Sequence, residues 1–140
     1  MEWSLDPEEV IRRVDLHRRY GGNTQSGIAP LRNSPNILIF SDPRAGEEHG
    51  YHDRWESAEI LHYCGEGQVG DQEFVRGNKA ILEYAERGRA LRVFRGARGE
   101  VRYLGEFELD EAQPFYWADA PQSSSAATRK VIMFRLRRRA

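Results

Sequence analysis

Apolar residues near the start of the chain recur at the spacing of a helix face. Val10 and Val14 fall on one side of such a helix. Asp6 suits an N-cap and Pro7 suits the first helical position. Two glycines directly after Tyr20 are typical of a helix end. The pattern therefore predicts a helix from about residue 6 to residue 20.

Most of the remaining apolar residues occur in short runs typical of β-strands. These runs are residues 36–40, 58–63, 90–94, 101–109, 113–117 and 130–136. The segment RGARGE between two of them predicts a β-hairpin. A second helix is predicted over residues 71–86, although Gly77 is unfavourable within it and Asn78 could cap a later start. Many short strands with two helices predict an open or closed β-barrel with one or two packed helices.

The segment HYCGEGQVGDQ, from His62 to Gln72, interrupts this regular pattern with three glycines. Glycine is unfavourable in a helix by roughly 1 kcal/mol relative to alanine, and it offers a strand no side chain to pack. The segment is therefore predicted to be a loop whose backbone approaches something closely.

Composition sets limits on the class of protein. The 140 residues carry a formal net charge of −1, and 39% are hydrophobic, which is ordinary for a single globular domain. No apolar run approaches the roughly 20 residues that a membrane span needs. The acidic first ten residues lack the apolar core of a secretory signal, and the lone Cys64 cannot form an internal disulfide. A cytoplasmic location, with no membrane partner, is the expectation.

Five motifs occur in the order found in the SRA domain, also called the YDG domain. They are GYHD (Gly50–Asp53), HYCGEGQ (His62–Gln68), GDQ (Gly70–Gln72), GNKAI (Gly77–Ile81) and LRVFRG (Leu91–Gly96). The chain resembles this family, and RRYGGNTQSGI and FSDP resemble its bacterial branch, in which the domain accompanies an HNH nuclease.

This resemblance implies an α+β fold with a PUA-like twisted β-barrel. Residues 1–20 would form an N-terminal helix packed on the barrel, and residues 21–140 would bind the modified base. The implied ligand is 5-methylcytosine, or a related modified cytosine, flipped out of double-stranded DNA. The implied partner is a fused or associated HNH nuclease domain, in which any nuclease activity would reside. No catalytic residue, metal or cofactor is expected in this chain.

The resemblance also implies which residues form the base pocket. They are Gly50, Tyr51, Asp53, Tyr63, Cys64, Gly65 and Gly67. Tyr51 and Tyr63 would stack on the two faces of the base, each contact contributing about 1–3 kcal/mol against an extrusion cost of a few kcal/mol. Asp53 would accept a hydrogen bond from the cytosine 4-amino group, where thymine presents an acceptor. Tyr63 could instead be a core tyrosine.

The remaining pocket residues leave more alternatives open. The N–H groups of Gly65 and Gly67 would reach the ring oxygen and nitrogen of the base. Cys64 stands where the family has threonine, and it could line the methyl slot or be a buried structural thiol. Arg54 stands where some relatives have a second acid, so the assignment of Asp53 carries a one-residue ambiguity. The segment corresponding to the long finger loop of eukaryotic members is short, so strict preference for hemimethylated sites is not implied.

Contacts with the duplex are predicted from arginines and from the first glycine-rich loop. Arginine suits phosphate because its planar guanidinium donates two parallel hydrogen bonds. The candidates for backbone contacts are Arg32, Arg44, Arg54, Arg76 and Arg95, and those for entry into the duplex are Gln25, Ser26 and Ile28. Asp71 and Gln72 are predicted to brace the pocket rather than to touch DNA.

Two other functions compete with this interpretation. The same barrel could serve an RNA-binding PUA- or ASCH-like module, since an aromatic pocket also accepts RNA bases. A metal-dependent nuclease could use His49, His52, Asp53, His62 and Glu66. No HExxH or HNH-type spacing supports the nuclease.

Overall fold

The computed structural model of the protein describes residues 2–42, 53–121 and 127–139. Within them the chain forms nine strands and two helices. In chain order they are β1 (Val10–Arg12), α1 (Arg13–Tyr20), β2 (Ile28–Pro30), β3 (Asn36–Ser41), β4 (Arg54–Trp55), β5 (Ile60–Cys64), α2 (Arg76–Leu82), β6 (Ala90–Arg95), β7 (Glu100–Leu109), β8 (Phe115–Pro121) and β9 (Thr128–Arg138). Neither helix in these ranges is long and apolar enough to cross a membrane.

All nine strands belong to one twisted sheet. Its main path runs β2-β3-β6-β7-β9-β5-β4, while β1 pairs with β7 and β8 pairs with β9. Among the strands of the described residues, only β3 and β6 pair in parallel, and the other pairs are antiparallel. The two ends of the path, β2 and β4, do not pair with each other in the described residues. The predicted fold class is confirmed, with a twisted sheet that is not closed into a barrel.

Strand β3 shows how the sequence pattern builds two cores. Ile37 and Ile39 face one side of the strand and Leu38 and Phe40 face the other, because side chains alternate along a strand. All four are buried, so β3 is covered on both faces. Helix α1 contributes Leu16 to the second core, and α2 covers the first. A strand buried on both faces reads as the continuous apolar run seen in the sequence.

The predicted strands are confirmed to within two residues at each end for β3, β5, β6, β7 and β9. The short predicted strand at residues 113–117 is found two residues later and extends to Pro121. The hairpin predicted from RGARGE joins β6 to β7 in antiparallel pairing. Each of these segments has enough β-branched or aromatic residues to indicate its structure locally.

The helix predicted from residue 6 was wrong over its first seven residues, since α1 begins at Arg13. Asp6 and Glu9 form a turn instead, in which the Asp6 N–H donates to the Glu9 carboxylate and the Glu9 N–H donates to the Asp6 carbonyl. Strand β1 then pairs with β7. Local capping signals were outweighed by backbone hydrogen bonds to a distant strand.

The second predicted helix is also shorter than expected, because α2 spans only Arg76–Leu82. The preceding residues turn back towards β9, where the Gln72 N–H donates to the Lys130 carbonyl over 2.8 Å. Gly77 is required inside α2, since a Cβ there would lie 2.8 Å from the Ile28 Cβ. The glycine that was unfavourable in the sequence thus allows α2 to pack closely on β2.

Candidate nucleic-acid interface

The side chain of Asp53 lies where the ends of β3 and β5 meet, directly before β4. It is only 9% exposed. The hydroxyl of Ser41, the last residue of β3, donates to Asp53 Oδ2 over 2.8 Å, and the backbone N–H of Cys64, the last residue of β5, donates to Oδ1 over 2.8 Å. Donors on two strands therefore hold the Asp53 carboxylate, a group that accepts hydrogen bonds, in one orientation.

Arg54, the next residue, points away from this carboxylate. Its Nη2 lies 3.0 Å from the Tyr116 hydroxyl, and its side chain is exposed. Asp53 is thus the buried residue of the two, and Arg54, the first residue of β4, is the exposed one. The assignment of Asp53 as the reader of the base stays a prediction.

Tyr63 is a core residue in this structure. It is 5% exposed, and its hydroxyl donates to the carbonyl oxygens of Gly27 at 3.1 Å and Phe40 at 3.3 Å. Burial, aided by the charge of Asp53, raises the pKa of Tyr63 well above its usual value, so the phenol stays neutral. Stacking of Tyr63 on a base stays a prediction, and it requires one face of the ring to be uncovered.

The glycine loop, residues 65–70, is braced by the two residues that follow it. Gln72 Nε2 donates to the carbonyl oxygens of Gly65 at 2.7 Å and Gly67 at 3.1 Å. The Asp71 carboxylate accepts the backbone N–H of Lys130 over 2.8 Å. Gln72 therefore braces the glycine loop as predicted, and Asp71 ties the end of this loop to β9. That neither residue touches DNA stays a prediction.

Two further residues brace the glycine loop, and the sequence analysis did not predict this role for either of them. Arg129 is buried and its Nη1 donates to the carbonyl oxygens of Gly67 and Gly70. Asn78 Oδ1 accepts the backbone N–H of Glu66, and Asn78 Nδ2 donates to the Glu66 carbonyl. Asn78 had been interpreted only as a helix cap, and nothing in the local sequence connects Arg129 with this loop.

Gly65 is needed for packing within the protein. A Cβ at this position would lie 2.9 Å from Asn78 Oδ1 and 2.9 Å from Gln72 Oε1. The Gly65 N–H donates to the Ile132 carbonyl over 2.7 Å. This contact contradicts the expectation that the Gly65 N–H reaches a bound base. At Gly65 the close approach is therefore to the side chains of Asn78 and Gln72. The role of the Gly67 N–H stays a prediction.

The side chain of Cys64 lies half-buried against Ala120, Val131 and Met133. Burial, together with the charge of Asp53, raises the pKa of the Cys64 thiol to about 11. The thiol is therefore un-ionised at neutral pH, as expected for a thiol used for packing.

We expect Cys64 to react slowly with iodoacetamide in the folded protein. Raising the thiol pKa from 9.0 to about 11 lowers the thiolate fraction at pH 8 about a hundredfold. Mass spectrometry of the folded protein and of the protein in guanidinium would measure both rates on the single cysteine. Equal rates in the two samples would contradict the assignment of Cys64 as a buried, un-ionised thiol.

The loop at residues 21–27 is held by a buried arginine from α1. The Arg13 guanidinium donates to the carbonyl oxygens of Asn23, Ser26 and Ala97 and lies 3.7 Å from the centre of the Phe40 ring. This arrangement presents Gln25 as an exposed side chain and leaves Ser26 half-buried.

His17 completes this network from the next turn of α1. Its Nε2 accepts from Arg13 Nε over 2.9 Å, and its Nδ1 lies 2.8 Å from the Gly21 carbonyl. Burial lowers the pKa of His17, which keeps the ring neutral and so leaves Nε2 able to accept. Loop 21–27 is therefore a braced element.

Ile28 does not project into solvent. It is 3% exposed and belongs to the main core, against α2. Its predicted insertion into the duplex is therefore wrong, because its side chain already packs inside the protein.

The predicted backbone-contacting arginines do not all lie together. Arg54, Arg76 and Arg95 are exposed. Arg95 pairs with Ser41, the last residue of β3, which contacts Asp53. Arg32 precedes β3, so the length of that strand, roughly 17 Å, separates it from Ser41. The structure therefore does not bring Arg32 to the pocket.

Some predicted positions lie outside the described residues. They are Arg44, His49, Gly50, Tyr51 and His52. Their predicted roles stay predictions.

The residues considered for a metal site point in different directions. His62 Nε2 lies 2.7 Å from Glu56 Oε1 and its Nδ1 contacts the Tyr116 hydroxyl, whereas the Glu66 carboxylate accepts the Gly77 N–H. In the part of the chain that the structure describes, no three histidine, cysteine or acidic side chains gather in a way that could hold a metal ion.

A family model for ScoMcrA-like SRA domains matches residues 7–139. The chain belongs to this family. The SRA assignment made from the five motifs is thereby confirmed. Comparison with curated protein sequences finds no match.

Solved structures with the SRA fold align with nearly the whole chain. One contains the sulfur-binding domain and SRA domain of ScoMcrA complexed with phosphorothioated DNA (24% identity, TM-score 0.69, covering 96% of this chain and 40% of that chain). A second is ScoMcrA as a Type IV phosphorothioation-dependent restriction endonuclease (25% identity, TM-score 0.68, covering 95% and 24%). A third is the SUVH5 SRA domain complexed with hemimethylated CG DNA (23% identity, TM-score 0.70, covering 99% and 92%). This SRA domain thus spans less than half of the ScoMcrA chains.

Proposed function

We propose that this SRA domain binds double-stranded DNA and holds a flipped 5-methylcytosine, or a related modified cytosine, beside Asp53. The observation that carries the proposal is the nearly buried Asp53 carboxylate, held by Ser41 and by the Cys64 N–H at 2.8 Å each. A buried carboxylate must be hydrogen-bonded, and a fixed one can recognise a donor. The 4-amino group of cytosine is such a donor, and thymine has an acceptor there.

The family supports DNA as the ligand. SUVH5 SRA domains of the same fold have been solved with hemimethylated CG DNA and with fully hydroxymethylated CG DNA. A base can be inspected on all its edges only when it leaves the stack, which costs a few kcal/mol. Tyr51 and Tyr63 are proposed to offset that cost by stacking, with Cys64 beside the 5-methyl group.

The duplex is proposed to lie across the edge of the sheet at which β3 and β5 end, beside Asp53. Gln25 and Ser26, on the braced loop 21–27, are proposed to contact or enter the duplex. Arg54, Arg76 and Arg95 are proposed to contact phosphates, with Arg44 as a further candidate. Such contacts position the protein on the duplex without reading sequence.

This SRA domain is proposed to have no enzymatic activity of its own and to direct a modification-dependent restriction nuclease to marked DNA. ScoMcrA is a Type IV restriction endonuclease, and this chain covers 24% of it. The nuclease would be a separate domain, fused or associated, of the HNH type. The proposed setting is the cytoplasm, where such DNA would be met.

Fluorescence anisotropy with duplexes that differ only at the 5-position of one cytosine tests the proposed ligand. We expect 5-methylcytosine to bind at least about fourfold more tightly than cytosine, since burying one methyl group contributes about 0.8 kcal/mol. Affinity should fall steeply with salt as phosphate counterions are released. An adjacent 2-aminopurine should brighten as the neighbouring base leaves the stack.

Two controls accompany this measurement. A phosphorothioated duplex without 5-methylcytosine tests whether the backbone modification alone is recognised, and a structured RNA tests the RNA-binding alternative. Equal affinity for methylated and unmethylated duplexes would refute 5-methylcytosine as the ligand, and tighter binding of the RNA would refute DNA as the ligand.

A further inference from the structure

We infer that Ser41 is a positioning residue that sets how well the pocket distinguishes cytosine from thymine. This inference rests on the proposed function. It starts from the contact between the Ser41 hydroxyl and Asp53 Oδ2, at 2.8 Å between two side chains that are both at least nine-tenths buried. In the sequence Ser41 follows the predicted strand at residues 36–40 and belongs to the segment FSDP, and no role was assigned to it there.

Ser41 is itself rigidly held. It pairs in parallel with Arg95 of β6, and its carbonyl accepts the N–H of Gly96 over 2.8 Å. It directly follows Phe40 on a strand whose two faces are covered by the two cores. The hydroxyl therefore projects from one of the most constrained elements of the sheet, as a precise binding site requires.

The two donors act on different oxygens of one carboxylate. Ser41 fixes Oδ2 and the Cys64 N–H fixes Oδ1, so together they set the plane of the carboxylate. The terminal torsion of an aspartate is otherwise broad and could turn. Thymine would bring a second acceptor against the same oxygens, and a carboxylate that cannot turn away discriminates against it most strongly.

The experiment compares two duplexes that carry 5-methylcytosine or thymine opposite guanine at one position. Both bases have the 5-methyl group and differ in the group that Asp53 would read. We expect Ser41→Ala to lower the ratio of the two affinities about tenfold, the scale of one hydrogen bond to a charged group. Ser41→Thr retains a hydroxyl and should restore most of the ratio. Ser57→Ala, at an exposed serine before β5, should leave the ratio unchanged.

A double-mutant cycle separates positioning from a general structural role. In the Asp53→Asn background, Ser41→Ala should change the ratio little further, because the two residues act as one unit. The inference would be overturned if Ser41→Ala weakened binding of the 5-methylcytosine and thymine duplexes equally. It would also be overturned if Asp53→Asn lowered the ratio of the two affinities while Ser41→Ala left that ratio unchanged. Failure of the proposed function looks different: the unsubstituted protein would then bind 5-methylcytosine and cytosine duplexes equally, and the inference would fall with it.

Discussion

Asp53→Asn is expected to weaken binding of a 5-methylcytosine duplex by about tenfold to a hundredfold, the scale of a lost hydrogen bond to a charged group. Asparagine has nearly the same shape but presents an amide that can donate as well as accept. In the structure both oxygens of Asp53 accept hydrogen bonds, one from the Ser41 hydroxyl and one from the Cys64 N–H. An asparagine has only one oxygen to accept them. Binding of the thymine duplex should change much less. Anisotropy titrations with both duplexes measure the difference.

The matched control for this variant is Asp15→Asn on α1, where the side chain is 44% exposed and pairs only loosely with Arg18. It removes the same unit of negative charge, which by itself favours association with DNA. Asp15→Asn should therefore keep or slightly raise its affinity for the 5-methylcytosine duplex. A loss as large as in Asp53→Asn would show that the effect is not specific to the position of Asp53. Full retention of discrimination in Asp53→Asn would contradict the role of Asp53 directly.

Arg13→Met is expected to lower the free energy of unfolding by about 3 kcal/mol, because several partly buried carbonyl groups lose their donor at once. Methionine keeps much of the aliphatic volume but removes the donors to Asn23, Ser26 and Ala97. It also removes the partner of His17 Nε2. Urea denaturation monitored by tryptophan fluorescence would measure the loss.

The neighbouring arginine supplies the control for that experiment. Arg12 is exposed on β1, so Arg12→Met should shift the free energy of unfolding by no more than about 0.5 kcal/mol. Arg13→Lys should also be destabilised, since an ammonium cannot reach several carbonyl groups in the manner of a planar guanidinium. If Arg13→Met lowered the free energy of unfolding no more than Arg12→Met does, water would be replacing the guanidinium at little cost. That outcome would remove the reason to regard loop 21–27 as braced.

The strands could be predicted because their signals are local. The run NILIF predicts β3 and the segment RGARGE predicts the hairpin between β6 and β7 without reference to any other part of the chain. The helix start at Asp6 failed for the opposite reason. Its capping residues are real local signals, but the backbone of residues 10–12 gains more by pairing with β7.

The candidate site was predictable in part. The motif order led to Asp53 and to the glycine loop, and the bracing by Gln72 follows from its place just after that loop. The role of Gly65 was mistaken, because a glycine indicates close approach without showing whether a ligand or the protein itself comes near. Ile28 was misplaced because one apolar residue after a polar loop can equally begin a buried strand.

The amino-acid order alone determined the kind of domain, its principal strands and the segments proposed to form the base pocket, because period-two patterns and short motifs can be recognised without the rest of the fold. Tertiary structure alone decided that Ser41 and the Cys64 N–H meet on Asp53, that Arg129 reaches back to the glycine loop and that Arg13 braces loop 21–27. Asp53 lies 12 residues from Ser41 and 11 from Cys64, Arg13 lies 13 residues from Ser26, and Arg129 lies 62 residues from Gly67. A hydrogen bond depends on the position and direction of its two groups in space, and only the packed sheet supplies both.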